Sequence, residues 1–147
     1  MGSFLDEDIT SQIKEVFTKL SNPVEIVVFT SQKDCEYCED TRALLEEVCN
    51  LSDKVSIKPV DVDNKPDIAR EYHITRTPGI VVLGQVDGKM KDFGIRFSGI
   101  PAGHEFSALI HSILTVSSQE VVFNPDTMEF LNSLKSPISL EVFTTPT

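Results

Sequence analysis

Ile9, Ile13, Val16, Phe17 and Leu20 recur three or four residues apart with polar positions between them, which predicts an amphipathic helix. Asn22-Pro23 ends it, because the residue before a proline avoids the helical region. The period then changes. Residues 24–29 (V-E-I-V-V-F) are β-branched and apolar on nearly both faces, the pattern of a central parallel strand. Leu44, Leu45, Val48 and Cys49 return to helical spacing, up to about Leu51. Residues 55–63 alternate apolar with polar, and Pro59, which has no N–H to give a ladder, makes this an edge strand. Asn64 and Pro66 are placed to cap a short helix carrying Ile68, Ala69 and Tyr72. Residues 79–83 form a second buried strand, Asp87-Gly88 signals a hairpin, and Phe93, Ile95 and Phe97 alternate along its return. Phe106, Leu109, Ile110, Ile113 and Leu114 mark a last helix that ends near Val116. The order α-β-α-β-α-β-β-α predicts an α/β fold.

An internal likeness follows. Residues 20–30 (L-S-N-P-V-E-I-V-V-F-T) align with residues 134–144 (L-K-S-P-I-S-L-E-V-F-T), matching Leu20 to Leu134, Pro23 to Pro137 and Phe29 to Phe143. Helix-forming residues 126–134 precede the second copy as the first helix precedes the first, so the helix–proline–strand grammar repeats too. This divides the chain into a unit over residues 1–118 and the helix and first strand of a second unit over residues 119–147, which reads as a shortened form.

With 147 residues, 40% hydrophobic and 24% charged, the chain has an ordinary globular composition and enough length for one packed domain. Its net charge of −10 repels phosphate backbones and anionic membranes, so neither nucleic acid nor a membrane surface is an expected partner. The N-terminus has neither the basic nor the apolar region of a signal peptide, and a cytoplasmic location is expected. In a reducing compartment a C-x-x-C pair serves catalysis or metal binding rather than stapling.

That pair is D-C-E-Y-C-E-D at 34–40, placed at a strand-to-helix turn. Cys35, read as lying at the start of the helix, would have its thiolate favoured by unpaired N–H groups and the helix dipole. Cys38 shares a helix face with Leu45 and Cys49, so it is the buried, resolving thiol, and Cys35 the attacker. Asp34, Glu36, Glu39 and Asp40 oppose a thiolate, which implies a comparatively reducing pair. Zinc would want four ligands, and only this pair, Cys49, His73, His104 and His111 are on offer, so no metal is expected. Cys49 reads as a small buried hydrophobe and His104 as a capping or packing residue. By composition alone Thr77-Pro78 is a trans, strand-starting proline, since few X–Pro bonds are cis.

With C-E-Y-C after the first buried strand and T-P opening the next, the chain resembles the thioredoxin superfamily. E-Y-H-I-T-R-T-P-G-I-V-V-L-G looks like the cis-proline region of thioredoxins, and C-x-Y-C looks like glutaredoxins. F-G-I-R-F-S-G-I-P-A-G-H-E-F at 93–106, with the second copy, is similar to the glutaredoxin-like protein disulfide oxidoreductases, which carry two such units in tandem. The resemblance implies a thioredoxin-like four-stranded mixed sheet flanked by helices and a partial second unit. It also implies a thiol–disulfide oxidoreductase in which Cys35 attacks and Cys38 resolves, with no cofactor beyond the redox-active disulfide. Tyr37, Thr77 and Pro78 would bind substrate, with Thr77-Pro78 cis beside the cysteines and the backbone of Thr77 pairing with an extended chain. Protein disulfides are the implied substrates and a thioredoxin-reductase-like flavoprotein the implied electron donor. The buried aspartate of thioredoxins and the glutathione loop of glutaredoxins are both missing, so glutathione is not implied. Two alternatives remain open: the N-terminal electron-transfer part of an alkyl hydroperoxide reductase flavoprotein, whose first unit usually lacks the cysteine pair, and a non-catalytic binding module of the same fold.

Overall fold

The computed structural model describes residues 2–145. Its elements run α1 (Glu7–Phe17), β1 (Val24–Thr30), α2 (Cys38–Cys49), β2 (Val55–Asp61), α3 (Pro66–Glu71), β3 (Gly79–Val86), β4 (Lys89–Ser98), α4 (His104–Ser118) and α5 (Pro125–Ser133). The strands form one sheet in the order β2-β1-β3-β4. β1 pairs parallel with β2 and antiparallel with β3, and β4 returns antiparallel beside β3. The sheet is therefore mixed, and β1 is central with a parallel neighbour on one side only. Its apolar residues on both faces record burial beneath helices rather than an all-parallel sheet.

Alternation sorts the strands between two cores. Val24, Ile26 and Val28 of β1, with Ile80 and Val82 of β3, meet Ile13 and Phe17 of α1, Leu44, Leu45 and Val48 of α2, and Leu109 and Ile113 of α4. On the opposite face Val27, Phe29, Val81 and Leu83 meet Val60 and, from α3, Ala69. Gly84 is small for a reason: a Cβ there would lie 2.6 Å from the Val116 carbonyl oxygen of α4.

Asn22, where the sequence predicts a stop, is locked to the end of α4. The buried Ser117 hydroxyl accepts from the Ser21 and Asn22 amides at 2.9 and 3.0 Å and donates to the Asn22 carbonyl at 2.6 Å. Several boundaries differ from the sequence reading: α1 ends at Phe17, short of the Asn22-Pro23 stop, α2 ends at Cys49 and β2 at Asp61, while β3 runs on to Val86. α4 runs on to Ser118. The N-cap of α3 is Lys65 rather than Asn64, whose side-chain amide instead donates to Asp61 at 2.6 Å. Pro66 holds the first helical position as expected.

Among the described residues, 134–145 form neither helix nor strand. A strand gains its stability from ladder partners and a buried face. The second copy has neither: Leu140, Val142 and Phe143 are each at least 84% exposed.

The N-terminal segment is tethered by one carboxylate. Glu47 of α2 accepts from the Phe4 amide at 2.9 Å, the Leu5 amide at 3.1 Å and the Ser3 hydroxyl at 2.8 Å. Slight burial pushes its carboxyl up, but the hydrogen bonds from Phe4, Ser3 and Leu5 outweigh that and hold it below the 4.5 of a free glutamate. A depressed folded value means that the tether is complete above the ordinary carboxylate range and is lost as pH falls through the folded value. The Phe4 and Leu5 amide resonances are expected to titrate together below pH 4.5, and Glu47→Gln should abolish that titration. Amides indifferent to acid would refute the tether.

Candidate active site

β1 delivers the chain to one end of the sheet, and a loop over residues 31–37 carries it into α2. That loop is fixed from β2. The Asp63 carboxylate accepts from the Ser31 hydroxyl at 2.9 Å and the Gln32 amide at 3.0 Å. Those two bonds, the Ser31 hydroxyl first, hold the Asp63 carboxyl below its usual range. The parallel register that sets Thr30 opposite Asp61 brings the two segments together.

Cys35 and Cys38 close a disulfide with their Cα atoms 5.5 Å apart. Cys35 is partly exposed, whereas Cys38 is only 4% exposed and faces the core with Leu45 and Cys49. Cys35 lies outside the helix, contrary to the sequence reading: α2 begins at Cys38, and Tyr37 is its N-cap. The first intrahelical bond runs from the Thr41 amide to the Tyr37 carbonyl at 2.9 Å, which leaves Cys35 ahead of a turn over residues 36–37. The disulfide nonetheless pins the Cys35 sulfur to the first residue of α2, close to the unpaired N–H groups of that turn. Its exposed rim is acidic: Asp34, Glu36 and Glu39 all reach solvent.

Tyr37, between the cysteines, is 48% exposed. Phe29 pairs with Gly79, so Thr77-Pro78 stands at the same end of the sheet as the cysteine loop. The Thr77-Pro78 bond is cis, as the family resemblance implies and composition alone does not. Thr77 helps line a hollow of about 170 Å³ with Ser31, Val62, Ile74, Thr75 and Arg76. Pro78 is buried, and its carbonyl accepts from the Gly99 amide at 2.8 Å.

The remaining candidates lie apart. Cys49 is free and 7% exposed, and burial, then the neighbouring Glu46 charge, pushes its thiol up to about 12. Eleven residues along a helix place it roughly 16 Å from Cys38, out of reach of exchange. His104 is exposed in the first turn of α4. Among the described residues no group of three or more His, Cys, Asp or Glu is arranged to hold a metal ion, and no helix is long and apolar enough to cross a membrane. Sequence reasoning missed Asp63 and also Thr41, which is fully buried in α2. The only trace of Asp63 is a short polar residue at the exit of β2, and its partners lie 31 and 32 residues away.

A thioredoxin-domain model matches residues 24–111. The alkyl hydroperoxide reductase AhpF of Pseudomonas aeruginosa is 29% identical over 140 residues, covering 95% of this chain and 23% of that protein. The AhpF of Escherichia coli is 31% identical over 110 residues, covering 75% of this chain and 18% of its own length. The chain thus spans about a fifth of the curated relatives it matches. A protein disulfide oxidoreductase from Aeropyrum pernix superposes with a TM-score of 0.76 at 30% identity, over 90% of this chain and 57% of that one. The N-terminal domain of the AhpF from Enterococcus faecalis superposes with a TM-score of 0.76 at 26% identity, over 86% and 59%.

Proposed function

The chain belongs to the thioredoxin-domain family and Cys35–Cys38 is its redox centre, and from that premise we propose that it reduces disulfides of other proteins, with Cys35 attacking and Cys38 resolving. One observation carries the assignment of roles: the first sulfur of the pair is partly exposed and the second is buried at the start of α2. The Cys35 thiolate attacks one sulfur of the substrate disulfide, and the other leaves as a thiolate and takes a proton from water. The Cys38 thiolate then attacks Cys35, the remaining substrate sulfur leaves, and the intramolecular disulfide closes. Two electrons pass from the dithiol to the substrate.

An extended substrate has a place to lie. Tyr37 is exposed between the cysteines, and the hollow that Thr77 lines just before the cis Pro78 also takes in Ser31 of the cysteine loop, which supports an extended substrate lying along both, a mode that tolerates varied sequences. A thioredoxin-reductase-like flavoprotein is the electron donor that this reading requires, and the likeness to the AhpF proteins supports it. Those relatives, matched over 95% of this chain in the Pseudomonas aeruginosa case, favour a second reading: a relay unit whose one client is a peroxidase. The internal likeness and the exposed apolar residues of 121–143 support reading 119–147 as the opening of a second unit of the same kind.

The test is reduction of insulin disulfides by dithiothreitol with and without the chain. Acceleration is expected under the broad-substrate reading. A chain that leaves insulin untouched yet reduces a disulfide-bonded peroxidase favours the relay, and one that does neither leaves the binding module.

A further inference from the structure

Thr41 follows Cys38 by three residues in α2, has no exposed surface, and its hydroxyl makes no hydrogen bond. Buried hydroxyls are nearly always paired, because leaving one unpaired costs its full desolvation. A threonine in a helix has a ready partner in the carbonyl four residues back. Here that carbonyl belongs to Tyr37 and receives the Thr41 amide at 2.9 Å, but not the hydroxyl. The hydroxyl is therefore left over while the disulfide is closed.

Residues three apart are neighbours on one helix face, and each side chain leans over the turn on its N-terminal side. Thr41 accordingly overlies the turn of Cys38, whose sulfur is itself buried. In the disulfide that sulfur is bonded to Cys35 and is a weak acceptor. Once the disulfide opens, the same atom becomes a thiol or thiolate cut off from water, which is when it needs a donor.

We infer that Thr41 is the positioning residue of the resolving cysteine: its hydroxyl is unpaired in the oxidised protein and donates to the Cys38 sulfur in the reduced one. The inference rests on the reading of Cys38 as the resolving thiol. Reduction adds two electrons and two protons to the disulfide, and the hydroxyl consumes neither. It holds the freed sulfur for the return attack on Cys35, and it weights the couple toward the dithiol by penalising one state and stabilising the other.

Thr41→Val keeps the shape and removes the hydroxyl, and Thr41→Ser keeps the hydroxyl and removes a methyl group. In dithiothreitol redox buffers the equilibrium of Thr41→Val should move about tenfold toward the disulfide, about 30 mV more negative for a two-electron couple. Its oxidised form should unfold at the wild-type temperature or above, since no polar group is lost from a bond. Thr41→Ser should restore the wild-type equilibrium. An equilibrium moved less than twofold in Thr41→Val, beside a wild type that exchanges normally, overturns the inference alone. Equal destabilisation of both redox forms also overturns it, because that marks a packing role. A wild type that does not exchange at all overturns the redox reading and the inference with it.

Discussion

Replacing Cys38 with serine is expected to trap substrate proteins on Cys35, converting a turnover catalyst into a stoichiometric one. The attack of Cys35 on a substrate disulfide needs only its own thiolate, so the first exchange survives in Cys38→Ser. The second exchange needs a vicinal sulfur, and Cys38 supplies it with its Cα 5.5 Å from that of Cys35. No other thiol stands in for it, because Cys49 is buried, its thiol pushed up to about 12 by that burial, and lies most of a helix away. A mixed disulfide should accumulate on a non-reducing gel and dissolve only with added dithiothreitol. Cys35→Ser, by contrast, should form no adduct and leave insulin reduction at the dithiothreitol background. Adducts on Cys35→Ser with none on Cys38→Ser would reverse the roles, which the partial exposure of Cys35 and the burial of Cys38 make the poorer assignment.

What makes the site work was only partly visible before folding. The strand–turn–helix placement of D-C-E-Y-C-E-D follows from hydrophobic period alone, and so does the split between an outward and an inward cysteine. The exact start of α2 does not, since nothing in E-Y-C separates a residue in a turn from one in the first helical turn until the Thr41–Tyr37 bond fixes the boundary. Likewise Asp63 holds the loop at Ser31 and Gln32 only because β2 pairs with β1 in one register, and register is a property of the assembled sheet. The cis bond at Pro78 was legible through family resemblance and not through local chemistry. The acidic residues around the cysteines have a sign that anyone can read from the sequence, and the fold adds that three of them project into solvent, where salt screens them.

The internal likeness shows where pattern reading stops. Residues 24–30 form a strand buried at most of its positions, while the aligned residues 138–144, also largely apolar, form no strand at all. The difference lies in neighbours: β1 has β2 on one side, β3 on the other and helices over its face, and the second copy has none of these.

That contrast supplies the second large effect. Phe29→Ala should destabilise the chain by roughly 3–5 kcal/mol, the usual cost of emptying a buried aromatic site. Phe29 is fully buried between Val60 and Gly79 of the flanking strands, with its ring centroid 5.8 Å from that of Tyr72. Tyr72 is in turn held from outside by Arg96, whose guanidinium lies 5.7 Å from the ring and donates to the Tyr72 carbonyl at 3.0 Å. The cavity could not close without moving β1 at the point where it turns into the cysteine loop, one residue after Phe29 at Thr30. For a chain of this size the melting temperature should fall by on the order of 10 °C or more. Phe143 is the counterpart of Phe29 in the second copy and is 85% exposed, so Phe143→Ala should change stability by no more than about 0.5 kcal/mol. The same substitution at the same place in two copies of one pattern thus separates the sequence from its surroundings. Thermal unfolding of the two variants side by side, followed by circular dichroism, decides the matter. Equal shifts would mean that the second copy is packed in solution as the first is.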